Sequence, residues 1–418
     1  MNNDLEFINY FWSINFSDKE KERFKKFLEV DYLKKKGFLE KEISNKTKTP
    51  KGTIEKWIRL KSVPYLVHYS QYSKNLRKPQ KDYKWLAINS TRGGILKEPW
   101  IKVPEKINSY RDLIKVIKQL KSINNLKDFN KFNINFKSIE KMKPLLFAYL
   151  LGMFVGDTSK KEIKRKNRTT RRIQLRLSTR FKTNKMLGEF TKLCANNIGL
   201  RMNQGKNCPK GKRNTHDFYA WHSQSSLLIQ WIFKVCLGLK NKEKTTYDPI
   251  KANWLIKAPK EFKIYFLQGL ADSDGYIDIT THRAGIITGP NTKFIKELLK
   301  TININGEESY LHKGSLGQIK FRLEKAIELP LFSPHVKSYR YQLMEKIMKA
   351  KRLHHHWPAY LGKEVDNYLK EGFSSTKIMQ KVLNNHNIII RQGGINKRRN
   401  KIKMENRITC LGIESTAQ

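Results

Sequence analysis

A nine-residue segment occurs twice in this chain, and that duplication limits its possible folds more than any other feature. The copies read Leu150-Leu151-Gly152-Met153-Phe154-Val155-Gly156-Asp157-Thr158 and Leu267-Gln268-Gly269-Leu270-Ala271-Asp272-Ser273-Asp274-Gly275. In this ungapped register Leu, Gly and Asp coincide at the first, third and eighth positions, and the seventh is small in both. Asp157 and Asp274 stand 117 positions apart, the size of a small αβ unit. Each copy is apolar enough for a helix, and its small residues lie four apart, on one face. Two such helices can pack closely through that face. Each then delivers an acid at its C-terminal end, and the two acids meet at the bottom of the pair.

The segments after the two copies also match. After the first, Arg172, Gln174, Arg176, Ser178 and Arg180 face one way along a predicted strand, with Ile173, Leu175, Leu177 and Thr179 on the other. A helix over 184–196, a strand over 216–222 and a helix over 226–237 follow. After the second copy, 276–288 reads as a bent strand or a hairpin, and 291–299 as a helix. A strand over 317–324 sets Gln318, Lys320 and Arg322 opposite Ile319, Phe321 and Leu323. Period two with one apolar and one basic face predicts half-buried sheets with a cationic outer surface.

Charge narrows the partner. Lys and Arg number 84 against 37 Asp and Glu in 418 residues, a formal charge of +47. Such a charge repels itself in a compact state unless a polyanion neutralises it, and nucleic acid is the commonest one. A small-metabolite enzyme with a neutral surface is disfavoured, and an anionic membrane surface is the weaker option. The longest mostly apolar run, 144–156, is 13 residues, too short to cross a bilayer. The N-terminus lacks a basic stretch followed by an apolar one, so no secretory leader is expected. Cys194, Cys208, Cys236 and Cys410 show no C-x-x-C spacing, which argues against a disulfide scaffold and a zinc finger. A reducing compartment that holds nucleic acid fits, either the cytoplasm or an organellar matrix.

The flanks read as helical modules. An amphipathic helix over 18–36 is broken by Gly37, and a short helix follows to Thr47. Thr49 then caps a basic helix over 51–61 with Pro50 at its first position. Ile54, Trp57 and Ile58 face inward there, and Lys51, Lys56 and Arg59 outward. This is the order of a helix-turn-helix reader, whose last helix enters the major groove. Residues 68–143 are basic and irregular, with Gly93-Gly94 and one predicted helix over 109–120. At the C-terminus, helices over 361–370 and from Ser374 or Ser375 to Leu383 precede a basic element with Lys397, Arg398, Arg399, Lys401 and Lys403. That element is either a second helix-turn-helix or a tail that orders on phosphates. The expected units are 1–67, 68–143, 144–250, 251–345 and 346–418.

Two carboxylates converging beneath basic sheets make a divalent-cation site. Mg²⁺ keeps its waters and takes substrate phosphate oxygens, so it needs few protein carboxylates. The paired nonapeptides resemble the LAGLIDADG motif of homing endonucleases in its single-chain, two-repeat form, over about 200 residues. The resemblance implies an α+β fold of two pseudo-symmetric αββαββα-type repeats forming a β-saddle on double-stranded DNA, with no small-molecule cofactor and a single-chain monomer. It implies hydrolytic cleavage with Mg²⁺ bound by Asp157 and Asp274. Asp272 has Val155 as its counterpart and is not assigned to the metal. Around the scissile phosphate the family tends to place basic residues, a position that Lys320 and Arg322 fit in the second half. The first half offers only His222, while Gln174 and Gln318 are polar neighbours.

Thr158 departs from the glycine after the first acid, where glycine permits a tight turn. It could shift Asp157, leaving one working site, or leave a non-catalytic DNA-binding regulator on the same scaffold. An RNA-splicing maturase is the third reading, although major-groove modules favour DNA. An intein is disfavoured by Met1-Asn2 and by Thr416-Ala417-Gln418. The run His354-His355-His356 and the residues His216, His222 and His282 read as surface. Trp57, Trp85, Trp100 and Trp254 read as core.

Overall fold

The computed structural model describes residues 18–59, 64, 83–87, 100–104, 106–165, 168–203, 206–208, 217–224, 226–239, 248–310, 317–353 and 356–410. Gly93-Gly94, His216, His354-His355 and the predicted helix end at Lys61 lie outside these residues, as do the side chains of Trp85 and Trp100.

The described residues open with α1 (Asp18–Lys35), α2 (Glu40–Thr47) and α3 (Lys51–Ile58). Gly37, at φ +88°, ends α1 in the left-handed region that glycine adopts without strain. Phe24, Phe27, Val30, Ile43, Ile54 and Trp57 form the shared core, with Phe27 edge-on to Trp57 at 5.7 Å. Pro50, not Thr49, is the residue before α3, and no side chain caps the helix. Thr49 is buried and donates its hydroxyl to the Thr47 carbonyl instead.

The segment read as an irregular connector is ordered where it is described. It contains the antiparallel pair β1 (Tyr83–Ala87) and β2 (Trp100–Pro104), then α4 (Tyr110–Gln119) and α5 (Leu126–Asn130). It packs on the next unit through specific bonds. Ile123 N donates to the Asn196 carbonyl at 3.0 Å, and Trp231 Nε1 to the Pro104 carbonyl at 3.0 Å.

The first motif begins in α6 (Ile139–Val155) and runs through the turn at Gly156-Asp157 into β3 (Thr158–Arg165), followed by β4 (Arg168–Ser178), α7 (Thr183–Asn196), β5 (Lys206–Cys208), β6 (Phe218–His222) and α8 (Leu227–Trp231). The helix expected over 226–237 changes character midway, because residues Ile232–Cys236 continue α8 as a π-helical turn. After α9 (Asn253–Ile256), the second motif ends α10 (Lys260–Asp274). Then come β7 (Gly275–Asp278), β8 (Arg283–Ile287), α11 (Thr292–Lys300), β9 (Glu307–Tyr310), β10 (Gly317–Arg322) and α12 (Leu323–Glu328). Residues 276–288 are therefore a hairpin. The last predicted strand stops at Arg322, where the chain turns into α12.

Each motif helix feeds a four-stranded antiparallel sheet, in the orders β3-β4-β6-β5 and β7-β8-β10-β9. Within each sheet the first, second, fourth and third strands are neighbours in that order. Helix α6 is buried all round from Leu145 to Val155, as its unbroken apolar sequence requires. It crosses α10 at backbone contact. A Cβ on Gly152 would stand 2.1 Å from the Phe266 oxygen, and one on Gly269 2.0 Å from the Tyr149 oxygen. Phe266 and Tyr149 are themselves 117 positions apart, so the two contacts are reciprocal.

The chain closes with α13 (Tyr339–Lys349), β11 (Lys351–Leu353), α14 (Ala359–Lys370), α15 (Ser375–His386), β12 (Ile388–Ile390) and α16 (Gln392–Cys410). Ser374 caps α15, accepting from Lys377 N at 3.3 Å. The basic element forms a helix, α16, that lies against α14 and α15 through buried Ile395. The parallel pairing of β11 with β12 had no sequence signal. Among the described residues no helix is long and apolar enough to cross a membrane.

Candidate active site

The glycine contacts bring the ends of α6 and α10 together. A Cβ on Gly156 would meet Ser273 Oγ at 1.8 Å and Asp274 Oδ2 at 3.2 Å. The small seventh positions thus face each other, and the carboxylate of Asp274 lies beside the residue preceding Asp157. Asp157 reaches solvent, and Asp274 is half-buried. Both carboxyls are held above the ordinary range, Asp157 at about 7 and Asp274 at about 6. The main cause for each is protein replacing water around it. The charge of Asp274 pushes Asp157 further up, and Arg340 pulls both down. Because each acid disfavours charge on the other, these values belong to the pair rather than to either residue.

Asp272 is fully buried and turned away from the pair. Its carboxylate accepts from Tyr149 Oη at 2.9 Å, Ser333 N at 3.3 Å and Ser338 Oγ at 3.3 Å. Arg340 completes the cluster, donating Nη1 to the Asp272 carbonyl at 2.6 Å and Nη2 to the Ser273 carbonyl at 3.1 Å. Sequence reasoning missed Arg340, Ser333 and Ser338. They lie at the end of the second unit, outside the nine-residue motif and the alternating strands, so no repeated pattern marks them.

The expected delivery of each acid by its helix end holds only for the second half: α10 runs through Asp274, whereas α6 ends at Val155 and Asp157 stands in the turn that leads into Thr158. Thr158 is buried, and its hydroxyl donates to the Phe154 carbonyl at 3.1 Å. The matching Gly275 is required for space rather than for turning. Its φ of −81° suits any residue, but a Cβ there would stand 2.3 Å from the Ala271 oxygen and 2.9 Å from Phe332 Cε1.

Strand register places the flanking residues. In the first sheet Ser159 pairs with Gln174, which pairs with His222. In the second, Tyr276 pairs with Gly285, which pairs with Lys320. His222 therefore occupies the position of Lys320, two strands across from the second residue after the acid. Arg322 shares the face of Lys320 but stands two positions further along the strand, opposite Arg283.

Several predicted contact residues are not free. Gln318 is buried and accepts from Tyr276 Oη at 2.7 Å. Gln174 is buried too, and in the amide orientation that satisfies both groups its oxygen accepts from Arg176 Nε at 2.7 Å. Arg172 is half-buried, while Arg176 and Arg180 are exposed. The second face is less basic than the alternation suggested, because edge strand β9 brings Glu307 opposite Lys320, where it pairs with Arg283. In the terminal modules Lys51, Lys56, Arg59 and Lys397 are exposed. Arg398 and Arg399 are struts instead. Arg398 binds Asp366 at 2.6 Å, and Arg399 the Phe373 carbonyl at 3.0 Å, fixing α16 to the helices before it.

The donor set at the acid pair suits a hard divalent cation, with two carboxylates of which Asp157 is exposed and Asp274 half-buried. Among the described residues no group of three His, Cys, Asp or Glu gathers anywhere, so water and a ligand's oxygens would have to complete the shell.

No protein-family model and no curated protein sequence matches the chain. Among solved structures, I-DmoI in complex with DNA and Mn matches over 46% of this chain and 98% of its own, at 18% identity and TM-score 0.34. The homing endonuclease I-WcaI bound to its DNA recognition sequence matches over 56% of this chain and 93% of its own, at 17% identity and TM-score 0.34. Full-length DUF199/WhiA from Thermatoga maritima matches over 69% of this chain and 99% of its own, at 12% identity and TM-score 0.32. These scores are too low to lend this chain the activity of any of them.

Proposed function

We propose that this protein is a site-specific endonuclease for double-stranded DNA, with Asp157 and Asp274 as its metal-binding acids. The observation that carries the reading is that the Asp274 carboxylate lies beside Gly156, the residue before Asp157, and that its charge is felt by Asp157. On this reading the sheets form a pseudo-symmetric saddle over the duplex. Arg176, Arg180, Lys320 and Arg322 then face phosphates, and the terminal modules act as helix-turn-helix readers through α3 and α16. Lys51, Lys56, Arg59 and Lys397 supply their exposed basic groups.

The acids act ionised. Their raised proton affinity shows that an unpaired negative charge is costly here, which a bound dication relieves. Mg²⁺ held there would supply an activated water and charge stabilisation for phosphodiester hydrolysis. Lys320, and His222 in its place on the other side, would stabilise the negative charge that develops at each phosphate. The acids have different neighbours, so the two strands need not be cut at equal rates.

The test is supercoiled plasmid carrying a selected binding site, incubated with Mg²⁺. Linear product is expected from the parent, and Asp157→Asn or Asp274→Asn is expected to abolish it with DNA binding intact. Nicked circles alone would mean one working acid. Firm binding without any cut would favour a regulator on this scaffold.

A further inference from the structure

We propose that Arg340 is the positioning residue of this acid pair, its forked guanidinium fixing the end of α10 and so the place of Asp274. The proposal rests on the nuclease reading for its activity assay, but it also has a readout that does not need cleavage.

The last carbonyls of a helix have no partner within the helix and attract cations. Arg340 takes two of them, at 2.6 and 3.1 Å, on the two residues that immediately precede Asp274. A planar guanidinium with divergent donors suits that task, and an ammonium cannot grip both carbonyls in a fixed geometry. The same turn is held from its side-chain face, where Asp272 accepts from Ser333 and Ser338. The anchor itself is rigid. Ser338 caps α13, accepting from Tyr341 N at 3.3 Å. Tyr339 stacks on Phe181 at 3.7 Å, and its N–H donates to Thr183 Oγ1 at 3.1 Å. Arg340 lies over the Tyr339 ring at 4.7 Å. The start of α7, in the first half, therefore steadies the arginine that steadies the second acid.

Arg340→Lys separates position from charge, since lysine keeps the charge and loses the fork. Outer-shell residues of this kind typically change metal affinity or activity by about 10–100-fold. In the full chain bound to its selected duplex, the Mg²⁺ concentration for half-maximal cleavage is expected to rise about tenfold. Nicked circles should accumulate, with melting temperature and metal-free DNA affinity nearly unchanged. A general loss of stability would lower the active fraction without moving the Mg²⁺ midpoint. A midpoint and a nicked-to-linear ratio within twofold of the parent would overturn the proposal.

If Arg340→Lys does not fold, Thr183→Ala loosens the same anchor more gently. It should shift the midpoint in the same direction, and an unmoved midpoint would count against the proposal. Mn²⁺ titration of the protein–DNA complex by electron paramagnetic resonance keeps the two readings apart. An inert parent whose Mn²⁺ binding is weakened about tenfold by Arg340→Lys would end the nuclease reading and sustain the positioning role. Unchanged Mn²⁺ binding in that variant, or a parent that binds none, would end the positioning role.

Discussion

The two acids stand differently on their helices: Asp274 is the last residue of α10, whereas Asp157 lies in the turn two residues beyond the end of α6. After Asp157 the chain continues through Thr158, whose hydroxyl bonds the Phe154 carbonyl. After Asp274 it continues through Gly275, where a Cβ would strike the Ala271 carbonyl. Phe154 and Ala271 are the same motif position, so one carbonyl is a hydrogen-bond partner in the first half and an obstacle in the second. Phe332 and Arg340, from the end of the second unit, close in on the second exit. A departure from a repeated motif therefore has to be judged against the chain around that copy. Thr158 is a local solution in the first half, and glycine is the only one in the second.

Exchanging the two residues breaks the comparison most severely. Gly275→Thr forces atoms against backbone that cannot yield, and should cost about 3 kcal/mol, the upper end for overpacking. Metal-dependent cleavage should be lost with it. Thr158→Gly removes one buried hydrogen bond and loosens the chain, for about 1–2 kcal/mol. Urea denaturation of both variants checks the order, and equal costs would show that the halves are interchangeable.

The next contrast is between Lys320 and His222, equivalent in strand register. Lys320→Ala should slow one strand's cleavage by about 100-fold, within the range for a charged group acting at the reacting centre. His222→Ala should slow the other strand less. Strand-specific end-labelling on a duplex substrate reads both rates. Loss of the same strand in both variants would mean that His222 does not stand in for Lys320.

Proton release sharpens the comparison further. The acids are raised to about 7 and about 6, so below those values they hold protons and cannot ligate. Metal binding must displace those protons, so Mg²⁺ affinity should climb as pH rises from 5.5 towards 8, by up to about tenfold per unit for each acid. Asp274→Asn should flatten the climb. The same variant also removes a buried charge that burdens the folded state. A raised carboxyl weakens the fold as pH rises from its unfolded value to its folded one, so the parent should lose stability between about pH 4 and 6 relative to Asp274→Asn.

How much of this was legible follows from where the signals lie. The motif pair and its close packing were readable because repetition fixes register, and small residues four apart imply one contact face. The same repetition put both acids at helix ends, which holds for Asp274 but not for Asp157 in its turn. The strands were readable from period two, and so was the place of His222 against Lys320. Contacts that span the molecule were not. Nothing in Ser338-Tyr339-Arg340 points back 66 positions to Asp274. The alternation that marked Gln174 and Gln318 as outward could not show that Arg176 and Tyr276 cover them. Nor could a run of basic residues show that Arg398 and Arg399 are turned in to Asp366 and Phe373. Charge predicts a solvated surface, and a single acid or carbonyl in the right place overrides it.

The smallest expected effect separates the two sheet faces by their charge. Arg176 and Arg180 are exposed, and the described acid nearest to them in sequence, Glu189, is engaged with Lys192 and Trp221. Arg322 looks onto a face where Glu307 already pairs with Arg283 and feels both Lys320 and Arg322. If DNA lies across both sheets, each phosphate that a cation neutralises contributes about −0.9 to the slope of log K against log salt. Replacing Arg176 and Arg180 together with Ala should therefore flatten the slope by up to about 1.8, two such contacts. Arg322→Ala should flatten it by less than one contact, because Glu307 shares that cation before DNA arrives. Filter-binding titrations between 50 and 200 mM salt, about the range over which such slopes are read, resolve a difference of one contact. Equal slopes for the single variants Arg176→Ala and Arg322→Ala would show that the faces are electrostatically alike and that Glu307 gives up its cations freely. A slope unmoved by any of the three replacements would put the DNA somewhere other than on these sheets.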